Sequence, residues 1–391
     1  MNSHKLQRFV RNRCCTLLGV GPVSRNCVDA AIDIANNHAV PIILIASRRQ
    51  IESEEFGGGY VGNWSTDRFA AYVFDKDKRG KICLARDHGG PWQHPREVEG
   101  TLSLRQAMES AKRSYQADIE SGFELIHIDP SVDIHATPHV DEILDRVYEL
   151  YEFCYRVAQE NKREIHFEVG TDEQGESLQQ DLDEFEYVLA EITQFCEREK
   201  LPKPMFVVAQ TGTKVMESRN IGSFDSPYRI KNELPVEIQL PQIISLCDKY
   251  GIWLKEHNTD YLSDESLRWH PKLGVHAANV APEFGVVETR AWMRLLREAG
   301  LEQLEHRFID LAHGSGKWKK WVFPDTALDA RGKAELCGHY VFADPRFAEL
   351  KSEAQRGLNS KGIVVDDVLK DAVKTAIFRY VKHFNLLETF P

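Results

Sequence analysis

The sequence contains no long apolar run, and this absence excludes a class of membrane proteins. No segment approaches the roughly 20 consecutive apolar residues that a membrane-spanning helix needs. The first 13 residues are basic and polar, without the apolar core of a secretion signal. We therefore expect a cytoplasmic protein that has no membrane partner.

Positive charge is in short supply as well. The 49 Lys and Arg residues are outnumbered by 60 Asp and Glu residues, which gives a net charge of -11. A nucleic-acid surface requires clustered Lys and Arg, so we expect no nucleic-acid partner. A small anionic substrate is still compatible with this charge, because a few Arg side chains and backbone N–H groups can bind it locally.

Two common motifs are also missing. The eight cysteines form no Cys-x-x-Cys pair, and we expect reduced thiols rather than disulfides. The first predicted strand continues as Gly19-Val20-Gly21-Pro22 rather than Gly-x-Gly-x-x-Gly. The absence of that fingerprint disfavours a dinucleotide-binding oxidoreductase.

What the sequence does contain is a regular alternation of short apolar runs with helical patterns. The clearest helical stripe joins Val140, Ile143, Leu144 and Val147. Eight apolar strands separated by helices are typical of an α/β protein of the (β/α)8 class, a TIM barrel of about 250 residues. We predict this barrel over residues 1–300 and a helical C-terminal extension packed on it over residues 301–391, with a doubly wound open sheet as the alternative. The predicted strands are residues 15–20, 40–45, 82–85, 125–128, 164–168, 205–209, 252–256 and 272–276.

Chemically capable side chains follow these strands. The most distinctive are Asp87 and His88, which stand between an apolar run and the loop Gly89-Gly90-Pro91. In a barrel of this kind the carboxyl ends of the strands converge on one face, where active sites lie. The residues that we expect to meet there are Ser47, Arg48, Asp87, His88, Asp129, Glu168, Gln210, Glu256, His257 and His276.

Three of these residues form a candidate metal site. His88, Glu168 and His257 supply two imidazoles and a carboxylate, which is a normal catalytic zinc set. We expect a divalent cation there, with Zn²⁺ favoured over Mn²⁺, Co²⁺ or Mg²⁺. The structural alternatives are a loop-capping role for His88 and a hydrogen bond between Glu168 and the loop after its strand.

The carboxylates that are not needed as ligands are candidates for proton transfer. Asp87 lies beside a ligand and is free to act as general base or acid. Asp129 or Glu256 would be the second proton carrier. The structural alternative for Asp129 is a turn before Pro130.

A further set of residues is predicted to bind substrate. Ser47, Arg48, Gln210 and His276 follow strands, and Arg48 would bind an acidic group. The loop Gly57-Gly58-Gly59 follows the second strand, and backbone N–H groups around Gly58 could approach an anion. The alternative for this loop is a flexible lid.

Seven short segments occur in an order that is more specific than any one of them. They are Ala-Ser-Arg-Arg-Gln-Ile at 46–51, Phe-Gly-Gly-Gly-Tyr at 56–60, Asp-His-Gly-Gly-Pro at 87–91, Ile-His-Ile-Asp-Pro-Ser at 126–131, Val-Gly-Thr-Asp at 169–172, His-Asn-Thr-Asp-Tyr at 257–261 and Trp-Lys-Lys-Trp at 318–321. Their order resembles that of the tagatose-bisphosphate aldolase non-catalytic (Z) subunits, over about residues 15 to 325. We count Asp260, in the sixth segment, among the substrate-binding candidates.

The resemblance implies a barrel similar to that of class II aldolases. There Asp87 and His88 would supply a proton-transfer carboxylate and a metal ligand. Members of the wider family resemble either non-catalytic partners of an aldolase or metal-dependent ketose epimerases. Glu168-Val169-Gly170 is more similar to the Glu-Leu-Gly of the catalytic aldolases, which favours a competent metal site.

Two functions follow as hypotheses. The first is a metal-dependent enzyme of the class II aldolase type that epimerises or cleaves a ketose or ketose phosphate. The alternative is a non-catalytic subunit that stabilises a partner aldolase. By analogy with the family we expect an oligomer.

Overall fold

Eight parallel strands close into a barrel in this computed structural model, which describes residues 3–170, 180–225 and 235–387. Around the barrel the hydrogen-bonded order is β1-β10-β9-β6-β5-β4-β3-β2, while β7 and β8 form a separate antiparallel hairpin. The predicted (β/α)8 barrel is therefore confirmed. The strands are β1 (Leu17–Val20), β2 (Ile42–Ser47), β3 (Ile82–Gly89), β4 (Leu125–Ile128), β5 (His166–Val169), β6 (Phe206–Val208), β7 (Val215–Met216), β8 (Arg219–Asn220), β9 (Trp253–Glu256) and β10 (Ala277–Val280).

Helices cover the outside of the barrel, and they bury the apolar stripes that the sequence shows. In the sixth helix the predicted stripe holds, since Ile143, Leu144 and Val147 are all buried. No described helix combines the length and the apolar character that crossing a membrane requires. The helices are α1 (Ser3–Arg13), α2 (Arg25–His38), α3 (Thr66–Lys76), α4 (Pro95–Glu99), α5 (Leu104–Ser121), α6 (Val140–Glu160), α7 (Leu182–Glu199), α8 (Val236–Tyr250), α9 (Asp264–Leu273), α10 (Pro282–Glu298), α11 (Glu302–Gly314), α12 (Ala330–Cys337), α13 (Pro345–Leu358) and α14 (Val365–His383).

The eighth predicted strand is in the wrong place. Residues 272 and 273 belong to the end of α9, and Gly274 ends that helix with a left-handed φ of 93°. Glycine adopts this conformation without the steric cost that other residues pay. The strand therefore begins at Ala277, and His276 lies just before it, at the opposite end of the strand from the predicted site.

The helices after residue 300 pack against both the barrel and one another. A second hydrophobic cluster joins them to α10, and it includes Trp292, Phe308 and Phe347. The last helix, α14, reaches from this cluster at Leu369 to the main core at Ile377. The packing of α14 on α2 and α10 ties the C-terminal segment to the barrel. The division of the chain into a barrel and an extension at residue 300 stays a prediction.

Candidate active site

An irregularity at the end of β3 directs two adjacent side chains toward one site. The pairing of β3 with β4 shifts between Arg86 and Gly89, and His88 has a left-handed φ of 45°. In a regular strand, consecutive side chains point to opposite faces, and a bulge changes that alternation. As a result Asp87 Oδ1 lies 3.9 Å from His257 Nε2, and His88 Nε2 lies 3.2 Å from His257 Nδ1.

The two histidines of this site are each held by a carboxylate. Asp129 Oδ2 lies 2.7 Å from His88 Nδ1, and Glu168 Oε1 lies 3.0 Å from His257 Nε2. The remaining ring nitrogens, His88 Nε2 and His257 Nδ1, face each other. A hydrogen bond that the distal ring N–H donates to a carboxylate is the usual way in which proteins orient a metal-binding histidine.

The charges around the site shift the pKa of several groups. Burial opposes protonation of His88, but Asp87, the hydrogen bond to Asp129 and Glu168 together raise the pKa of His88 to about 9. Burial likewise opposes ionisation of Glu168, yet Lys255, His127 and His257 hold its pKa well below the usual range. Glu168 is thus a carboxylate in the folded protein.

Lys255 is a buried cation that the pattern of strand ends does not predict. Its Nζ lies 2.5 Å from Glu168 Oε2, and both side chains are almost completely buried. Lys255 points into the barrel because it alternates with Glu256 along β9. The signal was present in the sequence, since a Lys within an apolar strand is almost never fully buried unless it is paired.

Two more polar residues of the interior were missed. Asn279, on β10, donates from Nδ2 to Asp87 Oδ1 at 3.1 Å and lies equally close to His257 Nε2. His127, on β4, accepts a hydrogen bond at Nδ1 from the His88 amide at 3.1 Å. Burial lowers the pKa of His127 to about 4, so its imidazole is neutral.

A small cavity lies beside these imidazoles. Its volume is about 10 Å³, close to the space that one water molecule requires. His88, His127 and His257 line it together with Gln210, one of the predicted substrate-binding residues. His127 Nε2 is buried and has no hydrogen-bond partner among the described residues.

Among the residues that the structure describes, three overlapping groups of side chains are placed closely enough to hold a metal ion. They are Asp87, His88 and His257; His88, His127 and Asp129; and His127, Glu168 and His257. The predicted set of His88, Glu168 and His257 is divided between the first and the third group. Two nitrogen ligands about 2.0 Å from a tetrahedral zinc ion lie about 3.3 Å apart, and the facing nitrogens of His88 and His257 are 3.2 Å apart.

A larger cleft opens beside this cluster. Its volume is about 300 Å³, and Ser47, Asp87, His88 and Asn258 contribute to its wall. Ser47, which the sequence predicts to bind substrate, thus lies at the cleft, and its role stays a prediction. A cleft of this size is at the lower end of the range for small-molecule sites.

Arg48 lies inside the protein rather than free in this cleft. Its guanidinium donates to Glu52 and to Glu97, each at 2.6 Å, and further to the Gly90 carbonyl oxygen at 3.2 Å. All three charged side chains are buried. Its donors therefore fix the loop after β2 rather than an acidic substrate.

We expect Arg48→Ala to lower the free energy of unfolding by about 3–5 kcal/mol, because Glu52 and Glu97 would be left buried without their cation. Arg49→Ala, at the exposed neighbouring position, should change it by about 0.5 kcal/mol or less. Urea denaturation of both variants tests the difference. Equal losses of unfolding free energy in the two variants would show that the Arg48 network does not stabilise the fold.

Two carboxylate residues that the sequence predicts for the site point away from the cluster of histidines. Glu256 faces outward from β9, where Oε1 meets His270 Nε2 at 2.7 Å and Thr259 Oγ1 at 2.8 Å. Asp260 accepts from the backbone amides of Ala281 and Glu283 at the start of α10. The structure thus brings neither the proposed second proton carrier Glu256 nor the proposed substrate ligand Asp260 to the cleft.

Gly58 and His276 are also placed elsewhere. The Gly58 amide donates to the Ser53 carbonyl oxygen at 3.1 Å, and the Gly59 amide donates to Trp64 at 3.0 Å, so the loop uses its own N–H groups. His276 stacks on Trp253 with ring centroids 4.9 Å apart, at the amino end of the barrel. Neither position can serve the site as predicted.

Comparison with known proteins confirms part of the resemblance found in the sequence. Residues 4–174 match the family described as D-tagatose-1,6-bisphosphate aldolase subunit GatZ/KbaZ-like. The matched region ends shortly after β5. It includes the segment Val-Gly-Thr-Asp at 169–172, of which residues 171 and 172 lie outside the described residues. No curated protein matches the chain.

Several solved structures share the fold at low sequence identity. A probable tagatose 6 phosphate kinase from Sinorhizobium meliloti 1021 has a TM-score of 0.74 and 16% identity, covering 94% of this chain and 100% of its own. Fructuronate-tagaturonate epimerase UxaE from Cohnella laeviribosi has a TM-score of 0.59 and 12% identity, with coverage of 96% and 82%. Fructose-bisphosphate aldolase from Campylobacter jejuni has a TM-score of 0.56 and 10% identity, with coverage of 98% and 94%. These similarities establish the fold.

Proposed function

We propose that this protein is a metal-dependent enzyme that epimerises a ketose or ketose phosphate or cleaves it by an aldol reaction. The observation that supports this most directly is the pair of facing ring nitrogens of His88 and His257, each held from behind by a carboxylate. The matched family and two of the fold relatives are named for aldolase or epimerase reactions of ketose derivatives. The names of these relatives support the choice of substrate class.

His88 and His257 would hold the divalent cation, and the residues behind them would fix their orientation. Zn²⁺ suits two imidazole ligands, while Mn²⁺, Co²⁺ and Mg²⁺ are the alternatives. When bound, such a cation polarises a carbonyl or hydroxyl oxygen as a Lewis acid. Glu168, predicted as the third ligand, is engaged by Lys255 and His257, so we infer that it orients His257 instead.

Asp87 is the residue that would move a proton. Its carboxylate lines the cleft, and Asn279 fixes one oxygen by a hydrogen bond of 3.1 Å. Asp129 is hydrogen-bonded to His88 and Ser131. We therefore infer that it positions His88 and is not a second proton carrier. Proton transfer by a positioned carboxylate serves epimerisation and aldol cleavage alike.

The second candidate function is a non-catalytic subunit that stabilises a partner aldolase. The close ion pair between Lys255 and Glu168 favours it, because a buried ammonium group beside the imidazoles opposes a second cation. The family description, which names an aldolase subunit, agrees with this alternative.

Elemental analysis of the purified protein, combined with a screen of ketoses and ketose phosphates, tests the proposal. We expect about one equivalent of a divalent metal, together with turnover that a chelator abolishes and that added Zn²⁺ or Mn²⁺ restores. The cation would be the group on which the reaction depends. A protein that stays metal-free and inactive after both metals are supplied would refute the enzyme and favour the subunit.

A further inference from the structure

Part of the wall of the cleft is built by the C-terminal segment. The short 3-10 helices Lys317–Trp321 and Gly338–Val341 bring Lys320, Trp321 and Tyr340 to the cleft that Asp87 and His88 also line. Trp321 Nε1 donates to the Tyr340 hydroxyl at 3.2 Å, which joins the two helices. The cleft is therefore shared between the barrel and the segment that follows it.

The second helix is in turn fixed to a loop of the barrel. The rings of Tyr340 and Tyr60 lie 4.9 Å apart, and Tyr60 belongs to the glycine-containing loop after β2. The first helix is held as well, since the Glu217 amide donates to the Trp321 carbonyl oxygen at 2.8 Å. These contacts hold Lys320 at the cleft.

Two cations line this cleft without an anionic partner. Arg49 and Lys320 form no ion pair or side-chain hydrogen bond with any described residue, whereas the neighbouring Arg48 is paired with two carboxylates. Lys320 Nζ lies 4.4 Å from the centre of the Trp321 ring and 5.3 Å from that of Tyr340. Of the described residues that line the cleft, Asp87 is the one carboxylate.

The two positive charges act on each other. Partial burial, followed by repulsion from Arg49 and Lys317, lowers the pKa of Lys320 to about 8. Lys320 still reaches solvent, so an ion can approach it. A bound anion would relieve this repulsion, because it neutralises both cations at once.

We propose that Arg49 and Lys320 bind the terminal phosphate of a ketose phosphate whose reacting end lies at Asp87 and His88. The proposal rests on the proposed function and names its substrate class. A phosphate ester carries nearly two negative charges near neutral pH and matches two cations. Arginine offers planar paired donors, and lysine offers a point charge, which are both common in phosphate sites.

Calorimetric titration of the full chain with a ketohexose phosphate and with the unphosphorylated ketohexose tests this site. A chelator is included in one series, so that phosphate bound by a metal is excluded. The variants are Arg49→Gln and Lys320→Gln, with Lys319→Gln as the matched control on the same short helix. We expect the preference for the phosphorylated sugar to fall roughly ten- to hundredfold in each of the first two variants and to persist in Lys319→Gln.

Three results would overturn the assignment. One is an equal loss in Lys319→Gln, which would indicate a general effect of surface charge. Another is a wild-type protein that binds both sugars equally well. The third is the finding that a ketose with a terminal carboxylate binds through Arg49 and Lys320 more tightly than the phosphate ester does.

This test is separable from that of the metal enzyme. Loss of the phosphate preference in the two variants, in a protein that holds no metal, would refute the proposed reaction and leave the anion site intact. A metal-loaded, active protein whose variants keep the full preference would refute the anion site alone. Thermal unfolding of each variant confirms that the fold is retained.

Discussion

If the proposed metal-dependent reaction holds, Asp87→Asn is expected to lower turnover by a factor of about 10² to 10⁴ while the proposed metal stays bound. Asparagine has nearly the same shape as aspartate and can still accept the hydrogen bond from Asn279, which donates to Asp87 Oδ1 at 3.1 Å. The variant therefore removes the ability to take up a proton at neutral pH without opening the site. Turnover of the best ketose and the metal content of the same preparation are the two measurements.

Glu256→Gln is the matched control, because it also replaces a carboxylate by an amide but does so on the outer side of the barrel. Its carboxylate contacts His270 and Thr259 rather than the cleft, and we expect turnover to stay within a few-fold. Loss of metal from Asp87→Asn in step with turnover would contradict a proton-transfer role. It would identify Asp87 as a ligand, as its place beside His88 and His257 also permits.

The barrel itself could be predicted from the sequence because its signal is repeated. Most strand residues are apolar on either face, since one face packs on the barrel interior and the other on a helix. The signal weakens where a strand meets a helix end. At His276 the run Val275-His276-Ala277-Ala278 continues without a break, and only the backbone at Gly274 shows where helix α9 stops.

For the candidate site, the sequence could predict which strand ends meet but not the direction of each side chain. His88 and His257 meet because both follow strands of one barrel. Adjacent residues are harder to assign, because a strand alternates and a bulge interrupts the alternation. Thus Asp87 and His88 share one site across the bulge in β3, whereas the regular β9 directs Lys255 inward and Glu256 outward.

Charge pairing was a further property that the sequence could not reveal. Arg48 and Arg49 are chemically identical neighbours, and either could have bound an acidic substrate. The structure separates them, since Arg48 is buried between Glu52 and Glu97 and Arg49 is exposed at the cleft. The partners of Arg48 lie 4 and 49 residues away in the sequence. Only the folded chain therefore shows which of the two arginines is paired with carboxylates.

His88→Ala and His257→Ala are each expected to abolish binding of the proposed cation, and with it all metal-dependent turnover. Each imidazole supplies one of two facing nitrogens 3.2 Å apart, and a single remaining histidine does not make a tight site. Elemental analysis after dialysis measures the loss. Circular dichroism of the same samples is the control, because a variant that unfolds would show instead that the histidine is structural.

Glu168→Gln separates two roles for the carboxylate behind His257. If Glu168 orients the ring, as its 3.0 Å contact with His257 Nε2 indicates, the variant should bind metal about 10- to 100-fold more weakly. If Glu168 is itself a ligand, as the sequence predicts, the metal should be lost as completely as in His88→Ala. The Lys255 ammonium 2.5 Å from Glu168 Oε2 favours the first result, because that oxygen already neutralises a buried cation. A titration of each apoprotein with Zn²⁺ distinguishes the two outcomes.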